Sequence, residues 1–302
     1  MRIGLLCTNR NWVDPTEPYQ AIAEGLKKLG HTASPLGCPP TSAACHQLWS
    51  KEPDAIFIWG VNGAKRSVGD DFRRRGKPAF TMERGFFDRY NYTQIDHVGF
   101  NCSASWTPTL HAPAPAVGAK RFRAAWGKPP EGFGPREGYC LVLLQVPGDA
   151  QLKATKFPHP GPFVRAVDRA APPGVKIRVR AHPLSQWNCG ERGSAVRMIE
   201  GSLAEAIGGA KYAVTINSNA GNECLALGCP VLCMGPALYE MVGLALRATP
   251  GDLALRLAEM DAGWRPDDDE TRNYLAHLAC RQWTCDELAT GEPLRMILDA
   301  AM

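Results

Sequence analysis

The sequence contains no C-x-x-C pair, no internal repeat and no low-complexity tract. Nowhere does it approach the ~18 uninterrupted apolar residues that a membrane span needs. Each absence narrows the reading. Without a paired-cysteine motif no structural zinc is expected, although Cys224, Cys229 and Cys233, or Cys280 with Cys285, lie close enough in sequence to be considered. The eleven cysteines are an odd number, and Cys7, Cys140 and Cys233 sit in apolar runs. The opening MRIGLLCTNRNW turns polar too soon for a secretory leader. Free thiols in a reducing cytoplasm are the expectation. Nor is there a large excess of one charge: the net charge of +4 permits a polyanionic partner without demanding one.

What is present is an ordinary globular composition, 45% hydrophobic and 21% charged over 302 residues. That length suits two α/β domains, or one large one. Apolar runs at Arg2–Thr8, Asp54–Gly60 and Lys77–Glu83 read as buried parallel strands. Helical spacing over Pro18–Leu29 stops at Gly30, and the basic residues 63–76 read as a solvated helix. The Pro-, Gly- and Ala-rich stretch Trp106–Arg136 reads as an inter-domain crossing with an exposed helix. Alternation then resumes, with strands at Tyr139–Gln145, Lys176–Pro183, Tyr212–Asn217 and Pro230–Gly235 and helices at 161–171 and Ser202–Ala210. The pattern predicts two doubly wound domains, 1–135 and 136–302.

Four segments carry candidate chemistry. In Thr215–Gly235 a strand ends at Asn217, and Ser218, Asn219, Ala220 and Gly221 open a helix bearing Glu223. Free N–H groups at such a start suit a phosphate, and Glu223 suits ribose hydroxyls; a plain capped β-turn-α unit is the alternative. In Arg178–Pro183 the proline holds His182 extended at a strand end, with Arg180 on the same run. In Leu143–Ala150, Gln145 precedes a Pro-Gly-Asp turn that faces a cleft or is only a surface turn. In Thr81–Ser103, Glu83 follows an apolar strand amid Phe86, Phe87, Tyr90, Tyr92 and Phe100. A carboxylate there suits general acid/base work or nucleophilic attack on a sugar; a buried Glu paired with Arg84 or Arg89 is the alternative.

Taken in order, these segments resemble the capsule polysaccharide transferases of the bacterial Kdo-transferase group. The matching phrases are Glu83-Arg84-Gly85-Phe86, Asp96 with Gly99-Phe100-Asn101, Gln145-Val146-Pro147 with Asp149, His182-Pro183, and Asn217 through Val231. The last is the most specific, and together they cover roughly residues 80–240. The resemblance implies a GT-B fold, two Rossmann-like domains facing a central cleft, and metal-independent transfer from a nucleotide sugar with no other cofactor. It makes 1–135 the acceptor and catalytic domain and 136–302 the donor domain. Glu83, with Asp96 as second choice, becomes the catalytic carboxylate. Gln145, Arg180, His182, Asn217, Ser218, Asn219 and Glu223 become the donor site.

The chain departs from that group in its small size, in Arg84 where several relatives carry a second acid, and in lacking a basic amphipathic tail. Phage transferases that glycosylate hydroxymethylated pyrimidine bases in DNA have a similar build. The basic stretches Lys65–Arg66, Arg73–Lys77 and Lys120–Arg123, interleaved with Phe122 and Trp126, suit phosphate contacts and base access. A nucleotide-sugar-dependent transferase acting on modified double-stranded DNA is therefore the favoured expectation, with Lys120, Arg121 and Arg123 at the acceptor. Transfer to a capsule or surface polysaccharide, a non-catalytic nucleotide-sugar-binding module, and an epimerase are the alternatives.

Overall fold

Arg2–Leu6 forms the first strand, β1, buried at four of its five positions because neighbours lie on both its faces. The structure is a computed structural model that describes residues 1–38, 52–60, 63–149, 151–152, 155–157, 159–185, 193 and 195–301. After β1 come α1 (Asn9–Val13), α2 (Tyr19–Lys28), β2 (Thr32–Leu36), β3 (Ala55–Trp59), α3 (Gly63–Arg74), β4 (Ala79–Arg84) and β5 (Thr93–Asp96). They build a five-stranded sheet in the order β2-β1-β3-β4-β5. Its first four strands are parallel, and β5 runs antiparallel to β4. One face buries Ile3, Leu5, Phe57, Phe80 and Met82 against Ile22 and Leu26 of α2. The other buries Leu6, Ile56, Ile58 and Ala79 against Val68 and Phe72 of α3. As the sequence predicts, α2 stops at Gly30, whose φ of +80° a side chain would disfavour.

The second half alternates again. It contains α4 (Gly118–Trp126), β6 (Tyr139–Leu143), α5 (Pro160–Ala170), β7 (Ile177–Arg180), β8 (Val196–Met198), α6 (Leu203–Gly208), β9 (Ala210–Thr215) and α7 (Ala220–Ala226). Then follow β10 (Val231–Cys233), α8 (Leu238–Met241), β11 (Leu246–Arg247), α9 (Leu253–Asp261) and α10 (Asp268–Ala279). The six strands are parallel, in the order β11-β10-β9-β6-β7-β8. The chain winds outward from β6 to β8, then restarts at β9 on the opposite side of β6. The strand order therefore reverses between β6 and β9, which is where open α/β sheets bind ligands.

The chain divides into Met1–Thr109 with Leu278–Met302, and Leu110–His277. This differs from the sequence-based division at 135/136 in two places. Residues 110–135 belong with the second unit, because α10 and α7 hold them. Asn273 Nδ2 and His277 Nε2 donate to Ala112 O at 2.9 and 2.8 Å, Asp268 Oδ1 accepts from Phe133 N at 2.9 Å, and Glu131 N donates to Ala226 O at 2.9 Å.

The last residues return to the first unit as α11 (Cys285–Thr290) and α12 (Glu292–Asp299). Trp283, Leu288, Leu294, Ile297 and Leu298 complete the core over β1, β3 and β4. Each such side chain contributes roughly 1.5–3 kcal/mol by leaving water. Trp283 exchanges two backbone hydrogen bonds with Thr93 of β5, at 2.8 and 2.9 Å.

Gln282, fully buried, clamps the turn after β4: its Oε1 accepts from Phe86 N (2.6 Å) and Phe87 N (3.0 Å), and its Nε2 donates to Phe87 O (3.2 Å). Gln282→Leu leaves two buried amides without an acceptor and should lower unfolding stability by about 2–4 kcal/mol. Urea unfolding followed by circular dichroism checks this, and an unshifted midpoint would refute the clamp.

Candidate functional site

Two sequence-predicted residues separated by 71 others meet at the strand reversal. Gln145 leaves the tip of β6 and Asn217 the tip of β9, and both are at most 6% exposed. Gln145 Nε2 donates to Asn217 Oδ1 at 2.9 Å, while Asn217 N donates back to Gln145 Oε1 at 3.2 Å. Asn217 Nδ2 also donates to Gln151 O at 3.0 Å, so the pair anchors the loop that follows β6. Below it, Thr215 Oγ1 donates to Leu143 O at 3.2 Å and accepts from Ser218 N at 3.3 Å. Gln145 and Asn217 thus spend their polar atoms on each other and on these loops. They fix the shape of the strand tips. Ala150, at the end of the predicted Leu143–Ala150 segment, lies outside the described residues.

The start of α7 corrects one expectation. Its first amides are not free: Ala220 N donates to Ser218 Oγ (3.2 Å), Gly221 N to Ser218 O (3.0 Å) and Asn222 N to Asn219 O (2.9 Å). A tight turn of small polar residues satisfies its own donors. Tyr239 packs beneath it, with its hydroxyl donating to Ser218 O at 3.0 Å. A Cβ on Gly221 would come within 2.5 Å of that ring. Asn219 Oδ1 accepts from Asn222 Nδ2 at 3.1 Å, and Glu223 is half-buried one turn into the helix.

On the other side of β6, the tip of β7 carries Arg180 and His182. Leu184 N donates to His182 Nδ1 at 3.2 Å, so the neutral ring carries its proton on Nε2. Arg180 donates through Nη2 to Gly201 O at 3.1 Å. Its Nε is buried and has no hydrogen-bond partner among the described residues.

In the first unit, Glu83 and Asp96 share one face of the β4–β5 pair, where Glu83 stands opposite Gln94 and Thr81 opposite Asp96. Glu83 is half-buried and its Oε1 accepts from Arg84 N at 2.8 Å. Asp96 is differently engaged. Its oxygens accept from Val98 N (2.8 Å), Gly99 N (2.9 Å), Ser105 N (3.0 and 3.1 Å) and Ser105 Oγ (2.6 Å). Its lone pairs hold the loop that follows β5.

The basic stretches also resolve. Arg66, Arg73, Arg74 and Arg75 pair with Asp70 or Asp71, and Arg75 and Lys77 pair with Glu52. These five cations share three acids, so the network on α3 and its flank keeps a net positive charge. On α4, Lys120 and Arg123 are exposed and Arg121 half-buried.

Sequence reasoning missed a cleft of about 580 Å³ in the first unit. It opens at the carboxyl ends of β1 to β4, and Cys7, Glu17, Tyr19, Trp59, Lys65 and Arg84 help to line it. Among the described residues no cluster of three His, Cys, Asp or Glu side chains could hold a metal ion. No helix among them is long and apolar enough to cross a membrane.

No family model matches the chain. It is 28% identical over 238 residues to Protein FixF of Sinorhizobium fredii (strain NBRC 101917 / NGR234), a match covering 74% of this chain and 49% of FixF. The chain therefore spans about half the length of this curated relative. Among solved structures it is similar to a KpsC chain of Thermosulfurimonas dismutans described as a beta Kdo 2,4 transferase, at 17% identity and a TM-score of 0.59, covering 93% of this chain and 90% of that one. A KpsC chain described as a beta Kdo 2,7 transferase aligns at 16% identity and a TM-score of 0.61, covering 99% of both. The fold is GT-B, with two Rossmann-like units built on mainly parallel sheets.

The Gln145–Asn217 pair is open to a double-mutant cycle. Gln145→Leu and Asn217→Leu should each destabilise by about 1–3 kcal/mol, and the double variant by less than their sum. Strict additivity in urea unfolding would mean that the two amides do not act as a unit.

Proposed function

We propose that the chain is a nucleotide-sugar-dependent glycosyltransferase whose acceptor is a surface glycan. The observation that carries the reading is the convergence of Gln145, Asn217, Ser218 and the half-buried Glu223 where the second sheet reverses its strand order, with Arg180 and His182 at the next strand tip. Ligands of open α/β sheets bind there. The donor's leaving phosphate gains negative charge as the glycosidic bond breaks. The Nε2–H of His182 and the half-buried guanidinium of Arg180 are donors suited to that charge. Glu223 and Asn219 serve the nucleotide and its ribose. Gln145 and Asn217 position these groups rather than bind the donor themselves.

Glu83 is the catalytic carboxylate in this reading. Asp96 is set aside, since its five hydrogen bonds from the following loop leave it a structural part. The KpsC neighbours, described as Kdo transferases, favour a polysaccharide acceptor. The favoured sequence expectation, a modified base in DNA, is not supported by these likenesses: neither FixF nor the KpsC chains are described as acting on DNA. Of the basic stretches meant to meet phosphates, Arg73–Lys77 shares the acids Asp70, Asp71 and Glu52, while Lys120 and Arg123 stay exposed.

A thermal-shift screen of nucleotides and nucleotide sugars tests the donor site. One nucleotide family should stabilise the protein by about 2.7 kcal/mol at a hundredfold excess over its Kd. The shift should shrink in Glu223→Ala and His182→Ala. Silence from every nucleotide at saturation would overturn the reading. Glu83→Gln should keep the shift while transfer falls about 10²–10⁴-fold; full activity in that variant would remove Glu83 from the mechanism.

A further inference from the structure

A smaller cavity, of about 90 Å³, lies in the second unit. Leu110, Val242, Leu244 and Tyr274 give it apolar surface, and His111 and Glu270 give it polar groups. All of them fall within Leu110–His277. Asn273 also lines the cavity, but its amide is engaged: Oδ1 accepts from Ala114 N at 2.7 Å and Nδ2 donates to Ala112 O at 2.9 Å.

Two hydrogen-bonded connections run from this wall to the turn that opens α7. Tyr274, 1% exposed, donates its hydroxyl to Asn222 Oδ1 at 2.7 Å, and Asn222 Nδ2 donates on to Asn219 Oδ1 at 3.1 Å. Leu244 N donates to Tyr239 O at 2.8 Å, and the Tyr239 hydroxyl donates to Ser218 O at 3.0 Å. Both tyrosines are buried, and a close-packed interior passes displacement on rather than absorbing it. What moves the cavity wall therefore moves Ser218 and Asn219.

The chemistry of the cavity is that of a cation with a short apolar stem. Glu270 makes no ion pair among the described residues. Between Asp267 and Glu270 every residue is acidic, and the cation that follows, Arg272, pairs with Asp269 at 2.6 Å. The Glu270 side of the cavity is thus negative while Leu110, Val242 and Leu244 are apolar. A metal ion would find only the Glu270 and His111 side chains to hold it among the described lining residues. Since a cavity of roughly 150 Å³ takes a benzene, this one takes about three or four heavy atoms.

We propose that the cavity binds a short aliphatic amine, with its ammonium group on Glu270 and His111 and its stem on the apolar wall, and that occupancy is felt at the turn Ser218–Asn219 through Tyr274 and Tyr239. Calling that turn part of a donor site rests on the glycosyltransfer reading; binding of the amine does not. An amine packed against Tyr274 and Leu244 holds both tyrosines where the turn needs them. Amine and nucleotide should then tighten each other's binding by the same factor.

The test is a titration of the full chain with ethylammonium and propylammonium chloride, followed by amide nuclear magnetic resonance, against ethanol, propanol and potassium chloride. The amines should bind saturably at about millimolar concentration, at least tenfold tighter than the alcohols. The amides of Leu244, Ser218 and Asn219 should shift together. Glu270→Gln, a change at an exposed side chain, should weaken the amines about tenfold. Tyr274→Phe should keep amine binding and the shift at Leu244 while shrinking the shift at Asn219. Saturating amine should tighten nucleotide binding several-fold. Absence of saturable binding, equal binding of the alcohols, the same shifts with potassium chloride, or unchanged affinity in Glu270→Gln each overturns the site. Shifts confined to the cavity wall in the wild type, an undiminished shift at Asn219 in Tyr274→Phe, or unchanged nucleotide affinity overturns the coupling. If no nucleotide binds while the amines still shift Ser218 and Asn219, the transferase reading falls alone; nucleotide binding without amine binding sinks this proposal alone.

Discussion

A parallel sheet has two apolar faces, and both must be covered. In the first unit α3 covers one face, while α2 shares the other with α11 and α12 from the far end of the chain. That demand explains why Gly25 is a glycine: a Cβ there would lie 2.1 Å from the Leu288 carbonyl oxygen, so α2 and α11 can approach only where no side chain stands. It also explains Gln282, which enters a dry turn and satisfies the amides of Phe86 and Phe87 immediately after the strand that carries Glu83 and Arg84. The segment that closes the core thus also sets the geometry of the candidate catalytic strand end.

The second unit meets the same demand with residues contiguous in sequence, and its site follows from the order in which the strands are laid down. Winding outward from β6 and then restarting on its other side leaves two strand tips side by side with their loops diverging. The reciprocal Gln145–Asn217 bond closes the gap between them. Two amides do this well because each offers a donor and an acceptor and carries no charge to desolvate.

Much of this was legible in the sequence. The runs RIGLL, AIFIW, YCLVL and AKYAVT are apolar enough to read as strands, and Gly30 marks the end of α2. Other parts were not. The four-residue β5, TQID, is too short and mixed to signal a strand. A helix such as α12 shows an apolar stripe but says nothing of which sheet it will cover. Gln145 and Asn217 were each visible as polar residues at strand ends, but their bond depends on strand order, which local pattern does not encode. The basic run of α3 is more engaged than its sequence suggests, because Asp70 and Asp71 lie on the same helix and Glu52 reaches it from outside. The cleft around Lys65 and Arg84 gathers residues from six separate stretches, of which only Arg84 lies in a recognisable phrase.

The return of the chain end to the first sheet bears on how the protein is made. Synthesis proceeds from the N-terminus, and domains generally fold as units as they emerge. The second unit, Leu110–His277, is continuous and can fold once α10 has left the ribosome. The first unit is begun earlier yet finished later, since Gln282, Trp283, Leu288 and Leu294 follow the second unit in the sequence. Until then β1, β3 and β4 keep part of one apolar face open to water, a natural substrate for a holdase chaperone. The Glu83 strand end acquires its final shape only after the whole second unit has been made.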